Sequence, residues 1–586
     1  MSHPRDRIVA APRRSQPPFP DGRPTGTALP LTILALAVAA AFWPVLSAGF
    51  VNWDDGVNFL ENHHYRGLDW THLRWMWTTI HMGHYQPLSW MTLGLDYSVW
   101  GMDPFGYHLT SLLLHAANAA LFYLVSRRLL GSAWTALLAA LLFAVHPLRV
   151  ESVAWVTERR DVLSGFFYLA TILLYLKACA EPKGHTLRAA VVCFVLSLLS
   201  KSMGMTLPLA LVVLDVYPLR RLPSSPARWT EPESLAVLRE KAPFAAAALL
   251  SAAVAFLAQK HTGVIARFAS AGIVERLESS AYGLVFYVLK TVAPFHLLAL
   301  YARPVRFDAW DGRFLRSAAA VAAAGAGLFA ARRRWPALTA AGLFYAITLL
   351  PVSGLVLAGI YLAADRYSYL PCLGWAVAAA GAAGEAHRSL GRSGRRALVG
   401  VLVLVVVGLV PLTRRQSSVW HDSVALWSHV LAVDPQSAPA HNNLGTALAR
   451  AGREADAAVE FSRAIELDHD YAEAHNNLAT AWVHQGRRLE AVAEYREALR
   501  ADPRYAMARD NLGAVLAELG RVDEAIAEYR RALEIDPEDA HAHDNLGAAL
   551  AGQGKLDEAA AEFRRVLAIN PDYAGAAEHL RTVLGR

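Results

Sequence analysis

Cysteine and charge are both scarce in this sequence of 586 residues. Only three cysteines occur, all in or beside apolar stretches, so neither a disulfide framework nor a zinc motif can be built from them. Charged residues make up 18% of the chain and hydrophobic residues 54%, a balance typical of membrane proteins. Walker loops, dinucleotide-binding glycine motifs, HExxH motifs and nucleophile-elbow serines are missing, which excludes the enzyme classes that depend on them.

The charge that is present is divided unevenly along the chain. From residue 421 onward there are 17 Lys and Arg against 28 Asp and Glu, a net charge of −11, whereas residues 1–420 carry a net charge of +17. In the front part the arginines stand in short clusters between apolar runs, as positive-inside membrane topology requires. No basic patch interleaved with aromatics accompanies them on a soluble domain. We therefore predict the lipid bilayer, and no nucleic acid, as the partner of the basic part.

Apolar runs dominate the front part and predict an all-α membrane bundle of about 11–13 helices over residues 30–413. Backbone polar groups in lipid must be paired within their own segment, so each run is expected to be helical. Residues 1–29 are expected to form a disordered, basic, cytoplasmic tail, and the first run is interpreted as a retained span rather than a secretory signal. The runs lie at 31–48, 106–126, 134–147, 162–179, 187–200, 203–218, 242–258, 280–300, 314–331, 337–352, 370–384 and 397–412.

Basic loops orient these helices with the N-terminal tail in the cytoplasm. The clusters Arg127-Arg128, Arg220-Arg221 and 332–334 all fall on that side. Three apolar segments lie between the last two clusters, and three crossings would end on the wrong side. Either one segment fails to cross, with 280–300 and its Lys290 expected to be re-entrant or to lie on the surface, or the cluster 332–334 violates the charge rule. The parts of the chain expected on the outer side are loops 49–105, 146–161 and 353–369 and everything after residue 413.

A 34-residue period fills the rest of the chain and predicts an α-solenoid of tetratricopeptide repeats over residues 421–586. Asn443, Asn477, Asn511 and Asn545 recur at intervals of 34, and Leu, Gly, Ala and aromatic residues keep the same spacing. This pattern is typical of two antiparallel helices per unit, with small residues where the helices touch. Full repeats are expected at about 438–471, 472–505, 506–539 and 540–573.

Two adjacent acids, Asp54 and Asp55, follow the first span and are the first candidate catalytic residues. Carboxylates at the mouth of a membrane domain are costly unless they are solvated, paired or used. One of them could act as a general base that removes a proton from an acceptor hydroxyl as it attacks a sugar carbon. A turn or a helix cap would equally account for the pair.

A second cluster of polar residues begins at His146. Its basic members break the positive-inside rule on an outer loop, which suggests that they serve a purpose there. Arginine suits the binding of phosphate, because its guanidinium group forks onto two oxygens and stays charged near lipid. The alternative is a self-neutralising network of ion pairs that staples two spans. The cluster consists of His146, Arg149, Glu151, Glu158, Arg159, Arg160 and Asp161.

Two smaller groups complete the candidates. Asp365, Arg366 and Tyr367 stand together at another outer boundary. Lys201 and Asp215 lie at or within apolar segments, where ionisable residues are functional candidates by default. Lys201 could instead extend its ammonium group to the interface, and Asp215 could cap a helix.

Taken together, these motifs resemble the transmembrane and tetratricopeptide-repeat-containing proteins, members of the type C glycosyltransferase superfamily that includes the protein O-mannosyltransferases. The order of parts, a membrane domain followed by repeats, also matches. The residues that carry the resemblance are Asp54-Asp55, His146-Pro147 with Glu151, Arg159 or Arg160 with Asp161, the stretch from Ser200-Lys201 to Asp215, and Asp365-Arg366-Tyr367 to Pro371.

The resemblance implies transfer of a sugar, with mannose expected, from a polyprenyl-phosphate carrier to protein hydroxyl groups, with inversion at the anomeric carbon. Asp54 matches the leading acid of the superfamily's first-loop motif and would be the base, beside Asp55. The lipid-linked sugar is the expected donor substrate. Superfamily members differ in metal need, so a divalent metal stays an open alternative, although no outer-loop cluster here demands one. The donor phosphate would be bound by Arg149, Arg159, Arg160 and Arg366, supported by His146, Glu151, Asp161, Lys201, Asp365 and Tyr367.

The repeats would bind the protein or peptide acceptor. Asn442, Asn476, Asp510 and Asp544 recur on the face that usually lines the groove and could bond an extended peptide, although ordinary solvated helix residues would show the same spacing. The Ala- and Arg-rich composition favours a bacterial inner membrane, with the active site and the repeats facing the periplasm. Two alternatives stay open, a non-enzymatic membrane-anchored scaffold and a lipid or solute transporter.

Overall fold

The computed structural model describes residues 26–181, 184–261, 272–303, 307–355, 361–571, 573 and 575–585. Residues 1–25 of the predicted disordered tail lie outside these described residues, and the first helix begins at Ala28. The chain divides into two compact units. One comprises Met1–Phe50 and Asp54–His421, and the other comprises Val51–Trp53 and Asp422–Arg586.

The first unit is a bundle of helices, and each of the apolar runs in the sequence coincides with one of them. The described residues contain just two strands, Tyr301–Ala302 and Tyr361–Ala363, which pair antiparallel. The all-α prediction is therefore confirmed. The helices are Ala28–Phe42, Trp70–Thr78, Pro87–Trp100, Pro104–Leu130, Ala133–Ala144, Val150–Ala154, Arg159–Ala180, Gly184–Ser200, Leu207–Val216, Pro232–Arg239, Ala242–His261, Ile273–Val292, Gly312–Ala331, Pro336–Leu349, Leu373–Ser389 and Arg392–Val419.

Six of these helices are long and apolar enough to cross a membrane, as a multi-pass membrane protein requires. A pair bent by 59°, Ala133–Ala144 with Pro147–Ala154, would make a seventh. Other predicted spans form shorter apolar helices, such as Gly184–Ser200. Length and composition among the described residues thus support fewer crossings than the 11–13 membrane helices predicted from the apolar runs.

The segment 280–300, which the sequence predicts to be re-entrant, is helical only as far as Val292. The helix Ile273–Val292 ends before residues 293–300, and Lys290 donates from Nζ to the carbonyl oxygens of Phe295 (2.6 Å) and His296 (3.0 Å). These bonds satisfy carbonyls that no helix pairs. Whether the segment re-enters the membrane stays a prediction.

A polar stripe on the helix Pro104–Leu130 faces the interior of the bundle. His108, Ser111, His115 and Asn118 follow the three- and four-residue spacing of one helix face, and all are buried. His115 (Nδ1) and Asn118 (Nδ2) lie 2.9 and 2.8 Å from the Tyr369 hydroxyl. In lipid the outer surface of a bundle is apolar, so polar side chains turn inward. Here His115 and Asn118 bind Tyr369, which lies in the segment after the second strand.

The second unit is a series of paired helices that confirms the tetratricopeptide prediction. Gly445, Gly513 and Gly547 each lie where a Cβ atom would stand 2.6–2.8 Å from an aromatic ring of the paired helix, so a small residue at this position lets the two helices approach closely. The helices are Ser423–Val433, Ala438–Arg450, Glu454–Leu467, Ala472–His484, Arg488–Ala501, Ala506–Glu518, Val522–Ile535, Ala540–Gly552, Leu556–Ile569 and Ala576–Val583.

A histidine and a glutamate join the two helices of a repeat. His475 lies with Nδ1 2.6 Å from Glu494 and Nε2 3.2 Å from the carbonyl oxygen of His469. Burial by itself would lower the pKa of His475, but these hydrogen bonds and the Glu494 charge raise it above its ordinary value. Arg509 occupies the matching position of the next repeat and pairs with Glu528 at 2.8 Å.

Candidate active site

A cavity of about 570 Å³ in the membrane unit is lined by five of the charged residues that the sequence analysis selected, namely Asp54, Glu158, Arg160, Lys201 and Arg366. It lies at the start of the helix Arg159–Ala180 and beside the 3₁₀ turn Asp365–Ser368. Such a volume is within the range of small-molecule sites, roughly 300–1,000 Å³. Its polar lining includes Asp54, His84, Tyr85, Gln86, Glu158, Arg160, Lys201, Arg303, Tyr361, Arg366 and Tyr367.

Asp54 and Asp55 have different environments. The Asp55 side chain is buried and accepts hydrogen bonds at Oδ1 from the Thr157 hydroxyl (2.7 Å) and the Thr157 amide (3.2 Å). Asp54 lines the cavity, and no described residue donates a hydrogen bond to its carboxylate. Burial raises the pKa of Asp54 above its ordinary value, against the opposing charges of Arg160 and Arg366. The Asp54 carboxylate is therefore available to accept from a ligand, whereas the Asp55 carboxylate is hydrogen-bonded to Thr157.

Glu158 is the hub of the charged network at the cavity wall. It accepts from Nη2 of Arg160 at 2.7 Å and from Nζ of Lys201 at 2.6 Å. Lys201 also donates to Asp161 at 2.7 Å, and Ser152 donates to that carboxylate at 3.1 Å. Buried charges are tolerated only when they are paired and hydrogen-bonded, which these contacts achieve. The self-neutralising network considered from the sequence is thus present, and it lies in the cavity wall.

Arg366 joins the motif Asp365-Arg366-Tyr367 to the cluster that begins at His146. Its Nη1 and its backbone amide both bond Glu151, the amide at 2.8 Å, and its Nε lies 3.4 Å from Glu158. The guanidinium carbon also lies 5.0 Å from the ring centres of Tyr361 and Tyr367. Cation–π contacts of this kind hold a guanidinium flat. Nη2 of Arg366 donates to no described residue, so it is available to a ligand.

Asp365 stands behind the cavity rather than in it. The Tyr301 hydroxyl donates to Oδ1 of Asp365 at 3.0 Å. This bond links the first short strand to the turn that follows the second strand. Burial, together with the nearby charge of Glu151, raises the pKa of Asp365 well above its ordinary value. The supporting role predicted for Asp365 stays a prediction.

Arg149 and Arg159, two of the four arginines predicted to bind phosphate, do not line the cavity. Arg159 is fully buried against Asp96 (2.8 Å) and the Ser111 hydroxyl (2.9 Å), because one step along a helix turns a side chain by about 100° away from its neighbour. Arg149 is buried over the rings of Phe143 and Tyr369. The cavity geometry favours Arg160 and Arg366 as phosphate ligands and gives no support to the other two.

His146 and Glu151 are positioned by the bend that precedes the cavity. His146 accepts at Nδ1 from the Leu148 amide (3.2 Å) and lies with Nε2 3.0 Å from the Thr291 carbonyl oxygen. It therefore caps the 3₁₀ turn Pro147–Arg149 that leads to Glu151. Glu151, two residues after this turn, bonds Arg366.

Several lining residues were not selected from the sequence. His84 and Gln86 stand just before the helix Pro87–Trp100, and Arg303 pairs with Glu275 at 3.1 Å. Burial and the charges of Arg160 and Lys201 lower the pKa of His84 to about 3, so this imidazole is neutral at physiological pH. In the sequence, these lining residues are marked only by their position in polar segments between apolar helices.

No three metal-ligating side chains converge anywhere in the described part of the chain. Independence from a metal stays a prediction.

The four repeat residues predicted to bind the acceptor take part in links between neighbouring repeats. Asn442 and Asn476 are buried, and each accepts at Oδ1 from the asparagine of the next repeat, at 2.9 and 3.0 Å. Asp510 accepts from Asn545 at 3.0 Å, and Asp544 lies 2.9 Å from Nδ1 of His579. Their periodic spacing thus reflects a ladder of hydrogen bonds along the solenoid, and this geometry gives no support to a role in acceptor binding.

The chain matches known families in both units. The family described as dolichyl-phosphate-mannose-protein mannosyltransferase matches residues 87–231, and tetratricopeptide-repeat families match residues 414–469, 460–506, 515–554 and 540–584. The first match includes Glu151, Glu158, Arg160 and Lys201 of the cavity network.

The curated relatives are named protein O-mannosyl-transferases. Protein O-mannosyl-transferase TMTC2 of Mus musculus is 35% identical over 166 residues, 26% of this chain and 20% of the mouse protein. Protein O-mannosyl-transferase F38B6.6 of Caenorhabditis elegans is 26% identical over 392 residues, 64% of this chain and 52% of that protein. The chain is similar to the transmembrane and tetratricopeptide-repeat-containing O-mannosyltransferases. The predicted resemblance is confirmed.

The extent of the similarity is limited. The chain spans from a fifth to about half of the length of these relatives. Both are eukaryotic, so they give no support to a bacterial inner membrane. Among solved structures, the crystal structure of MamA is 26% identical over 28% of this chain and 95% of that chain, with a TM-score of 0.25.

Proposed function

We propose that the protein is an inverting glycosyltransferase that moves mannose from a polyprenyl-phosphate carrier to hydroxyl groups of proteins. The observation that carries this proposal is that the Asp54 carboxylate, which accepts no hydrogen bond from a described residue, lines the same cavity as the cations Arg160 and Arg366. The mannosyltransferase family match and the named relatives support the same reaction class. A scaffold or an anchor would need neither the cavity nor its charges.

The chemistry requires a base and an anion site on opposite sides of the sugar. Asp54 takes the proton of the acceptor hydroxyl as the hydroxyl oxygen forms its bond to the anomeric carbon. The bond from that carbon to the carrier phosphate breaks, and the electron pair leaves with the phosphate. Arg366, through Nη2, and Arg160 stabilise the developing charge, because guanidinium groups fork onto phosphate oxygens. Attack from the side opposite the leaving group inverts the anomeric carbon.

The carrier's lipid tail has to stay in hydrocarbon while its phosphate reaches the cations. The cavity supports this, because its wall combines the charged network with apolar residues of membrane helices. These are Val195, Leu198 and Leu199 of the helix Gly184–Ser200, with Leu250 and Val254 of the helix Ala242–His261. We place this site on the outer side, as the basic loops imply. The bacterial periplasm stays our prediction for that compartment, and acceptor recognition stays our proposal for the repeats.

The test is a transfer assay on the full purified chain in lipid nanodiscs. Polyprenyl-phosphate mannose, labelled in the sugar, should transfer its label to a protein acceptor, and the same donor carrying glucose should transfer it more slowly. Lys555→Gln, a change on the repeat surface, is the control variant. If no polyprenyl-linked sugar supports transfer to any hydroxyl acceptor, the proposed function is wrong. Transfer from a nucleotide sugar alone would also contradict it.

A further inference from the structure

A second cavity lies in the membrane unit, well apart from the candidate active site. Its volume is about 960 Å³. Both cavities contact the helix Arg159–Ala180, but the active site uses Arg160 and the second cavity begins at Leu169. Nine residues of helix separate these contacts, which is about 13 Å along the axis. The second cavity therefore serves neither the proposed base nor its phosphate ligands.

The walls of this cavity are mostly apolar and come from six helices. Five of the helices contribute apolar side chains, such as those of Phe122, Ile172, Val213, Phe344 and Val377, and the sixth contributes Thr135. The contributing helices are Pro104–Leu130, Ala133–Ala144, Arg159–Ala180, Leu207–Val216, Pro336–Leu349 and Leu373–Ser389. A cavity with such walls, between membrane helices, accommodates an acyl chain.

Cations and polar groups gather at one end of the cavity. Arg334, Trp335, Arg388 and Ser389 line it where the loop after the helix Gly312–Ala331 meets the end of the helix Leu373–Ser389. Tryptophan 335 is 56% exposed, as is common for this residue at the level of lipid head groups. The positive-inside rule assigns this end of the unit to the cytoplasm.

The charges at this end favour an anion. Arg388 pairs with Glu385, which also lines the cavity, so this pair is close to neutral. The Arg334 side chain has no hydrogen-bond partner or ion pair among the described residues, and Arg332 and Arg333 add positive charge in the same loop. One uncompensated guanidinium group above an apolar cavity matches a phosphate that carries an acyl chain.

We propose that this cavity binds an anionic glycerophospholipid of the cytoplasmic leaflet, with one acyl chain between the helices and the phosphate on Arg334. An acyl chain gains little by moving from the bilayer into the cavity, because lipid tails are as apolar as the cavity walls. Selection among lipids therefore depends on the head group. Each basic residue near a membrane surface favours anionic lipid by about fivefold.

The experiment uses the full chain in nanodiscs of equimolar phosphatidylglycerol and phosphatidylcholine, with retained lipid identified by native mass spectrometry. Wild-type protein should retain phosphatidylglycerol in preference to phosphatidylcholine. Arg334→Gln should reduce that preference by about fivefold, because it removes the one lining cation without a partner. Arg333→Gln is the matched control, since it removes the same charge from the same loop at a residue that does not line the cavity, and it should lower the preference less than Arg334→Gln does.

A second variant tests the acyl part of the site. Ala378→Phe places a ring in the cavity and should lower retention of both lipids, with the thermal midpoint of the protein checked in parallel. Equal retention of the two lipids by wild type would overturn the proposal. So would equal losses in Arg334→Gln and Arg333→Gln, which would indicate surface charge alone. Preferential retention of polyprenyl phosphate, when it is supplied beside phosphatidylglycerol, would assign the cavity to the carrier and overturn it as well.

Discussion

Replacing Asp54 by asparagine should separate catalysis from stability. The change keeps the size of the side chain and removes its ability to take a proton. A general base contributes about 10²–10⁴-fold to a rate, which corresponds to about 3–5 kcal/mol of barrier. No described residue donates a hydrogen bond to the Asp54 carboxylate, so the thermal midpoint should stay within error of wild type.

The neighbouring Asp55→Asn variant is the matched control, because the same isosteric change falls one residue away. Asp55 accepts two hydrogen bonds from Thr157, and the loss of its charge should weaken both. Hydrogen bonds to charged groups contribute about 1.5–3 kcal/mol, and the amide oxygen of asparagine retains part of this. We therefore expect a stability loss of about 1–3 kcal/mol, with activity reduced far less than in the Asp54 variant.

The assay is transfer of labelled mannose from polyprenyl-phosphate mannose, measured across pH beside thermal unfolding of each variant. Because protonated Asp54 cannot accept a proton, the wild-type rate should fall as pH drops through its pKa, which burial raises above the ordinary value of 3.8. Full activity of Asp54→Asn would refute the assignment of the base. An inactive Asp55→Asn protein with an unchanged midpoint would reverse the roles of the two acids.

Three further predictions concern stability. Lys201→Met leaves the buried Asp161 carboxylate without its cation and removes one of the cations around Glu158, so it should lower the free energy of unfolding by about 3–5 kcal/mol in denaturant titrations. An unchanged midpoint would contradict the network. Because the pKa of His475 is raised on folding, its contribution to stability is complete below about pH 6.5 and is lost as pH rises through the raised value. Hydrogen exchange in its helix should therefore speed up on alkalinisation, and His475→Arg should abolish that dependence. Gly513→Ala would bring a Cβ atom to 2.6 Å from the Tyr529 ring and should lower the free energy of unfolding by about 1–3 kcal/mol. Gly552→Ala, at a position with open space around it, should not destabilise the protein. Equal midpoints of thermal unfolding for the two variants would refute this packing.

Local chemistry made the helices and the repeats predictable. A backbone in lipid has no partner outside its own helix, so an apolar run is sufficient evidence for a helix, and each predicted run coincides with one. The repeat is equally legible, because one supersecondary unit recurs and places glycine or alanine at every close approach. The number of crossings was less predictable, since the helices' lengths depend on where loops and bends such as residues 145–149 interrupt them.

The candidate site was predictable only as a set of segments. Asp54, Glu158, Arg160, Lys201 and Arg366 all came from motifs that the sequence placed at span ends, and they meet at one cavity. Which member of a motif reaches the cavity could not be read from the chain, because adjacent residues of a helix or turn point in different directions. That is why Asp55 and Arg159 turned out to be structural contacts next to Asp54 and Arg160.

The sequence by itself determined the class of this protein: helical spans, a repeat array and charges at the ends of spans follow from patterns within a few tens of residues. Only the tertiary structure decided how the charges are paired. Arg366 binds Glu151 across 215 residues of sequence, and Asp55 accepts from Thr157 across 102. Such contacts depend on helix rotation and packing, which residue spacing along the chain does not specify.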